Sequence, residues 1–274
     1  MEFKSKNMNY IFNVEYFNGI ENMLLKEETS KEVEKKVKER NEQIESFSFA
    51  GCKVPFAELE NSSYEKGFFY HRFQLYTQYP GLLIGIGYPH ETKLNGAIKC
   101  GFSFDYVTGL PYISGSALKG MLRSFFYTDE NNSEIAKEYE SYIKELINKE
   151  DSFDIQQIKD QIFENNDVFL GAYPDVKKDS KGILKMEYIT PHKEFMNPNP
   201  ISMIKVKPNV PFLFGFLLTD YMADGKVILS AEEKLNLFEK LIVNMGIGAK
   251  TNVGFGKFSK RKVVENYFVK MDQR

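Results

Sequence analysis

Between Met245 and Phe258 the chain reads MGIGAKTNVGFGKF, with Gly246, Gly248, Gly254 and Gly256 interleaved with Lys250, Thr251, Asn252 and Lys257. Glycines open backbone angles closed to other residues and let another chain come close to the amides. From Lys250 to Lys262 there are five Lys/Arg and no acid, so the chemistry on offer is anion binding, with a phosphate as the natural guest. A second candidate runs from Ser114 to Arg123. There Ser114 or Ser116 can cap a helix whose apolar face is Leu118, Met121, Leu122, Phe125 and Phe126, which leaves Lys119 and Arg123 one turn apart on the other side. A capped helix start carrying two cations is a phosphate seat.

Neither stretch is a nucleotide fingerprint. A Walker loop needs Gly-x-x-x-x-Gly-Lys-Ser/Thr, and Phe258 follows Lys257 where Ser or Thr should stand. A dinucleotide loop opens a helix, whereas this one follows a helix. A glycine-rich turn without a ligand is the competing reading. Acid–base chemistry has only His71, His90 and His192 to draw on. His71 lies in an aromatic strand beside Arg72, His90 in a loop after Tyr88-Pro89, and His192, between Pro191 and Lys193, is the histidine read as touching RNA. A lone histidine makes a weak nuclease. Asp175 and Asp179 sit in a Lys-containing turn, and Cys52 and Cys100 form no CxxC pair, so no metal or cofactor is expected.

The 274 residues, 42% hydrophobic and 27% charged, suffice for one large or two ordinary domains. A net charge of −2 hides a split: residues 129–167 hold twelve acids against four lysines, an excess of eight, while 93–123 and 250–262 are basic. A polyanion must therefore bind locally. No apolar run approaches the roughly 20 residues of a membrane span, and Met1–Tyr10 has no signal-peptide core, which reads as a cytoplasmic protein.

The elements that must position these residues follow from periodicity. Met1–Gly19, aromatic and Asn-rich, reads as a strand or docking arm. Lys26–Glu45 is a charged helix with Glu27/Lys31, Glu32/Lys36 and Glu34/Lys38 pairs, lying on a surface. Phe68–Gly87 is a bent strand or strand pair broken at Pro80-Gly81, and Phe102, Phe104 and Tyr106 alternate before a turn. Helical spacing of Ile135, Tyr139, Tyr142, Ile143, Ile155, Ile158 and Ile162 marks an acidic insertion at about 129–167. Strands are expected at Val168–Tyr173, Ile183–Ile189, Ile204–Val206 and Val210–Thr219, a helix at Ala231–Asn244 and a last strand at Lys257–Val264. Without the insertion the order is strand, helix, strand, strand, helix, strand, an α+β, ferredoxin-like (RRM-like) core. Sheets of this kind commonly carry single-stranded RNA. Residues 1–65 are read as an N-terminal extension and 66–274 as a single domain.

Leu110-Pro-Tyr-Ile-Ser-Gly-Ser-Ala-Leu-Lys-Gly-Met-Leu-Arg resembles the pGSslKGvlR segment of the RAMP superfamily of CRISPR proteins, and Gly246–Phe258 resembles its C-terminal glycine-rich loop. Phe169-Leu-Gly-Ala-Tyr-Pro, Thr190-Pro-His-Lys-Glu and Asn197-Pro-Asn-Pro-Ile are similar to the branch formed by the sixth subunit of the type III-B (Cmr) effector complex. The resemblance spans about 81–262. It implies a guide-RNA-binding ribonucleoprotein subunit near the 3′ end of the CRISPR RNA, working in antiviral defence. Target RNA and the other Cmr subunits (the backbone slicer, the small subunit and the first subunit) would be its partners. RNA contacts are then expected from Ser114, Ser116, Lys119 and Arg123, from Gly246, Gly248, Lys250, Thr251, Asn252, Gly254 and Lys257, and from His192. Tyr112 and Phe255 are candidate base-stacking rings, with core packing as the competing reading. The superfamily's slicing subunit uses an acid between its first strand and first helix. Asp105 lies in that region without a matching motif, so the chain is expected to be non-catalytic. The alternative is a metal-independent RNA-processing endoribonuclease of the same superfamily. The acidic insertion is expected to meet protein or solvent.

Overall fold

Alternation of aromatic and branched residues over Phe68–Thr77 and Pro211–Leu218 sets the frame of the molecule, because each turns one row of side chains to a common core. The computed structural model describes residues 2–20, 23, 30–59, 63–64, 68–85, 87, 90, 92, 94–127, 133–148, 154–176, 182–189 and 200–261. In chain order they form α1 (Met8–Tyr10, running on as a π turn through Ile11–Glu15), α2 (Ser30–Glu45), β1 (Ser63–Tyr64), β2 (Phe68–Thr77), α3 (Gly115–Ser124), α4 (Ser133–Ile147) and α5 (Ile155–Asp160, continued by a π turn, Gln161–Asn166). These are followed by β3 (Val168–Pro174), β4 (Leu184–Ile189), β5 (Ile201–Val206), β6 (Pro211–Leu218), β7 (Tyr221–Ala223), β8 (Lys226–Leu229), α6 (Ala231–Met245) and β9 (Phe258–Ser259).

The main sheet is antiparallel. β2 pairs with β6, β3 lies on the far edge of β6, and the other edge of β2 carries β1 at one end and β9 at the other. Along β6, Phe212, Phe214, Phe216 and Leu218 are all fully buried, opposite Leu75, Phe73, His71 and Phe69 of β2. Burying each such phenylalanine stabilises by roughly 1.5–3 kcal/mol. A slip of one residue would present Leu213, Gly215 and Leu217 instead, so the register is strongly specified. α6 lies on this face, with the Phe238 ring 5.6 Å from Phe169 and 5.4 Å from Phe216. It starts with a capping box: Ser230 Oγ accepts from Glu233 N, and the Glu233 carboxylate accepts from Ser230 N. The β4–β5 hairpin forms a separate two-stranded sheet, joined by a Leu82–Val206 bridge to the chain that leaves β2.

Several expectations are corrected. Met8, Ile11, Phe12 and Tyr16 are fully buried at helical spacing, and Asn7 Oδ1 accepts from Tyr10 N as the cap. The amino-terminal stretch is therefore helical, neither strand nor arm. Phe102–Ile113 forms only isolated bridges, Phe104 to Pro111 and Ile113 to Ala172, because the turn at 105–110 folds the segment on itself. The last strand is described only at Phe258–Ser259; residues beyond Arg261, and His192 with the segment around it, lie outside the described residues. α2 keeps a charged outer face and buries Val33, Val37 and Ile44. α4 and α5 occupy the segment read as the insertion, and Ile143, Ile155, Ile158 and Ile162 are buried there. Among the described residues no helix is long and apolar enough to cross a membrane.

Among the described residues one ion pair is fully buried. Lys234 Nζ of α6 stands 2.7 Å from Asp167 Oδ2, both side chains at most 1% exposed, and Asp167 Oδ1 accepts from Thr219 N at 3.0 Å. Burial pushes the Asp167 carboxyl above its usual range, while Lys234 and Thr219 pull it back. Lys234→Met leaves that carboxylate unpaired and is expected to cost about 3–5 kcal/mol in urea denaturation at neutral pH. The folded-state pKa of Asp167 is already raised, so the native state takes up the proton first. The loss should therefore shrink as pH falls through that raised value, and Asp167→Asn with Lys234→Met should recover most of it.

Candidate nucleic-acid interface

α6 ends at Gly246, and the glycine-rich loop turns back across the chain that leaves β2. Ala249 N donates to Leu83 O, Gly256 N to Gly81 O and Gln78 N to Lys257 O, each at 2.8 Å, and Ile247 N donates to Gly256 O at 2.9 Å. Gly248 has φ +109°, and a Cβ there would stand 2.5 Å from Leu83 O. The close approach that the glycines permit is thus made first by the protein's own backbone. Lys250 takes a left-handed conformation, φ +58°, and starts a single 3-10 turn, Thr251–Val253. Gly248, Asn252 and Lys257 are exposed, Lys250, Thr251 and Gly254 half-buried, and Gly246 buried.

Ser114 is the cap of α3, its Oγ accepting from Ala117 N at 3.1 Å; Ser116 Oγ lies 3.0 Å from Ser114 Oγ. The helix start is pressed on β3, where Ile113 and Ala172 exchange two backbone bonds of 2.9 Å and a Cβ on Gly115 would run into Phe169 O. Lys119 is half-buried one turn along. Arg123 is exposed and pairs with Glu164 of the acidic segment at 2.6 Å. An exposed pair of this kind contributes about 0–1 kcal/mol, so Arg123 can exchange Glu164 for another anion at little cost.

These two elements meet. Between them runs a cleft of about 430 Å³ lined by Ala117, Met121 and Phe125 of the α3 segment, by Met245–Ala249 and Thr251 of the loop, and by Ile84, Gly85 and Ile113. Its walls are largely apolar, and Ser116, Lys119 and Lys250 belong to the elements that form them. Asn252, Gly254 and Lys257 lie on the loop beyond the cleft, toward Gln78 and Pro80. Ile84 and Gly85 were not singled out in the sequence. Their only signal is that they follow the Pro80-Gly81 bend into a run of alternating glycines.

Other candidates are placed elsewhere. Phe255 is buried beside Leu83, Cys100 and Met203, with Lys205 Nζ 5.8 Å from its ring centre, and Tyr112 is half-buried and stacked on Tyr173 at 5.4 Å. Both rings are committed to packing. The sheet face away from α6 is not an open RNA platform, because Phe56 lies on it: its ring is 5.6 Å from Tyr173, and a Cβ on Gly215 would meet it at 2.6 Å. Asp105 caps its own turn, accepting from Thr108 N and Oγ1 at 2.7 Å and from Tyr173 OH at 3.3 Å. His90 is packed among Phe12, Tyr16 and Phe17, with Nδ1 3.0 Å from Ile98 O, and His71 is in the β2–β6 core. Burial holds both imidazoles below their usual value, against the opposing pull of Asp220, Glu232 and Asp167 on His71 and of the Ile98 carbonyl on His90.

Because Leu83 O already fills the space at Gly248, Gly248→Val should destabilise the protein itself, by about 1–3 kcal/mol. A thermal melt without RNA checks this; an unchanged melting temperature would mean that the seam is not tight.

Residues 74–259 match the RAMP superfamily. The CRISPR system CMR subunit Cmr6 of Saccharolobus solfataricus is 27% identical over 190 residues, which cover 66% of this chain and 55% of that protein. This chain thus spans about half the length of the curated relative it matches. Among solved structures, a chain of the type III-B Cmr-beta complex bound to cognate target RNA aligns with a TM-score of 0.60 at 21% identity, covering 94% of this chain and 95% of that one. Cmr6 of Pyrococcus furiosus aligns with a TM-score of 0.45 at 21% identity, covering 71% and 99%. With the family's profile matching well over half of its length, the chain belongs to the RAMP superfamily.

Proposed function

We propose that the chain is a non-catalytic RNA-binding subunit of a type III-B CRISPR effector, which holds guide RNA near its 3′ end and helps to position target RNA. The observation that carries this reading is the cleft. Two stretches more than a hundred residues apart, each offering donors and cations, are folded onto one groove. An apolar floor suits base faces, and Lys250 of the loop that borders it, with Lys257 further along the same loop, suits phosphates, which position an RNA without reading its sequence. The similarity to Cmr6, a subunit by name, supports assembly with the backbone slicer, the small subunit and the first subunit of such a complex. The sheet order β9–β2–β6–β3, with α3 and α6 in the two crossovers, supports reading the fold as ferredoxin-like.

Salt dependence tests the binding. Lys250 and Lys257 would each neutralise about one phosphate, so replacing both with Ala should flatten log affinity against log salt by about 1.4, at ~0.7 per phosphate of a single strand. The loss should be the same for unrelated RNA sequences. An unchanged slope in filter binding would remove the loop from the RNA site. Repeat-containing RNA incubated with the protein should stay intact; cleavage that His192→Ala abolishes would favour a processing nuclease.

A further inference from the structure

Tyr79, 76% exposed and outside the cleft's lining, stands in the bend that follows β2. Its backbone neighbours are fixed to the loop on both sides. Gln78 N donates to Lys257 O at 2.8 Å and Gln78 Nε2 to Phe258 O at 3.2 Å; Pro80 Cδ lies 3.5 Å from where a Cβ on Gly254 would be, and Gly81 O accepts from Gly256 N at 2.8 Å. The ring is thus presented from a pinned backbone, and ordering its two side-chain torsions on a ligand costs little. The loop exposes Asn252, Val253 and Lys257. The other strongly exposed aromatic, Tyr106 at 84%, sits in the stretch 102–110, whose single charged residue is Asp105. Next to Tyr79, Gln78 is bonded to the backbone of Lys257, an exposed cation that can neutralise a phosphate. We propose that Tyr79 is a base-stacking platform, so that an RNA strand crossing the glycine loop sets one base on this ring while its phosphates run past Lys257.

The inference rests on the RNA-binding reading of the loop and names a residue and a contact that this reading does not require. It is tested with the full-length protein and single-stranded RNA oligonucleotides of unrelated sequence. Tyr79→Ala should weaken binding roughly 5- to 150-fold, the range of one base–aromatic stack. The slope against salt should not change, since no charge is removed. A thermal melt alongside separates a loss of binding from a loss of folding, and the variant should remain folded at the assay temperature. The sequence contains no tryptophan, so Tyr79→Trp introduces a single reporter, which should retain affinity and lose emission when RNA stacks on it. Wild-type affinity in Tyr79→Ala, or unchanged emission from Tyr79→Trp at saturating RNA, would overturn the stacking proposal alone, provided the wild-type slope still depends on Lys250 and Lys257. Failure of the wild-type protein to bind RNA at low salt would overturn both readings.

Discussion

Backbone carbonyls stand where side chains would have to be at Gly115 and Gly248: Phe169 O against the first and Leu83 O against the second. The geometry of the cleft depends on these two close approaches. The first lets α3 start directly on β3, and the second lets the loop after α6 lie along the chain leaving β2. With a side chain at either place the two elements would move apart, and the groove between them would lose its shape. Glycine is thus needed for packing first, and whatever the groove holds is a consequence of that packing.

A chain of net charge −2 can bind a polyanion only if its charges are sorted in space. The fold does this by placing the acidic helices α4 and α5 alongside α6 and α3, where Glu164 reaches Arg123, while Lys250 and Lys257 are carried by the loop that follows α6. Arg123 sits at the border between the two regions. It is held by an exposed pair of small energy, so an incoming phosphate can take the place of Glu164 at little cost. Steric closure acts with charge here: Phe56 covers the sheet face that an RNA-binding sheet would otherwise offer.

Much of the framework was legible in the sequence because it is written in local terms. Strand alternation at 211–218 and the apolar spacing of α6 each depend on residues a few positions apart. The amino-terminal turn was misread because aromatic and Asn residues are poor helix formers, although Met8, Ile11, Phe12 and Tyr16 already stood at helical spacing. In the site, the glycines and cations of both stretches were visible, and so was the cap at Ser114. What was not visible is long-range: that Glu164 occupies Arg123, that Lys205 lies over Phe255, and that Phe56 seals the sheet. Tyr79 escaped notice for the same reason. Nothing in its immediate sequence says that Gln78 and Gly81 will be bonded to a loop some 175 residues away, which is read from the hydrogen bonds alone.

The central claim is that RNA lies across the glycine loop and the start of α3. Ultraviolet cross-linking of bound RNA, with the attached peptides mapped by mass spectrometry, addresses it without any substitution. The account predicts adducts within residues 79–85, 112–121 and 245–257. Adducts confined to the acidic helices at 133–166, or to the charged helix at 30–45, would contradict it.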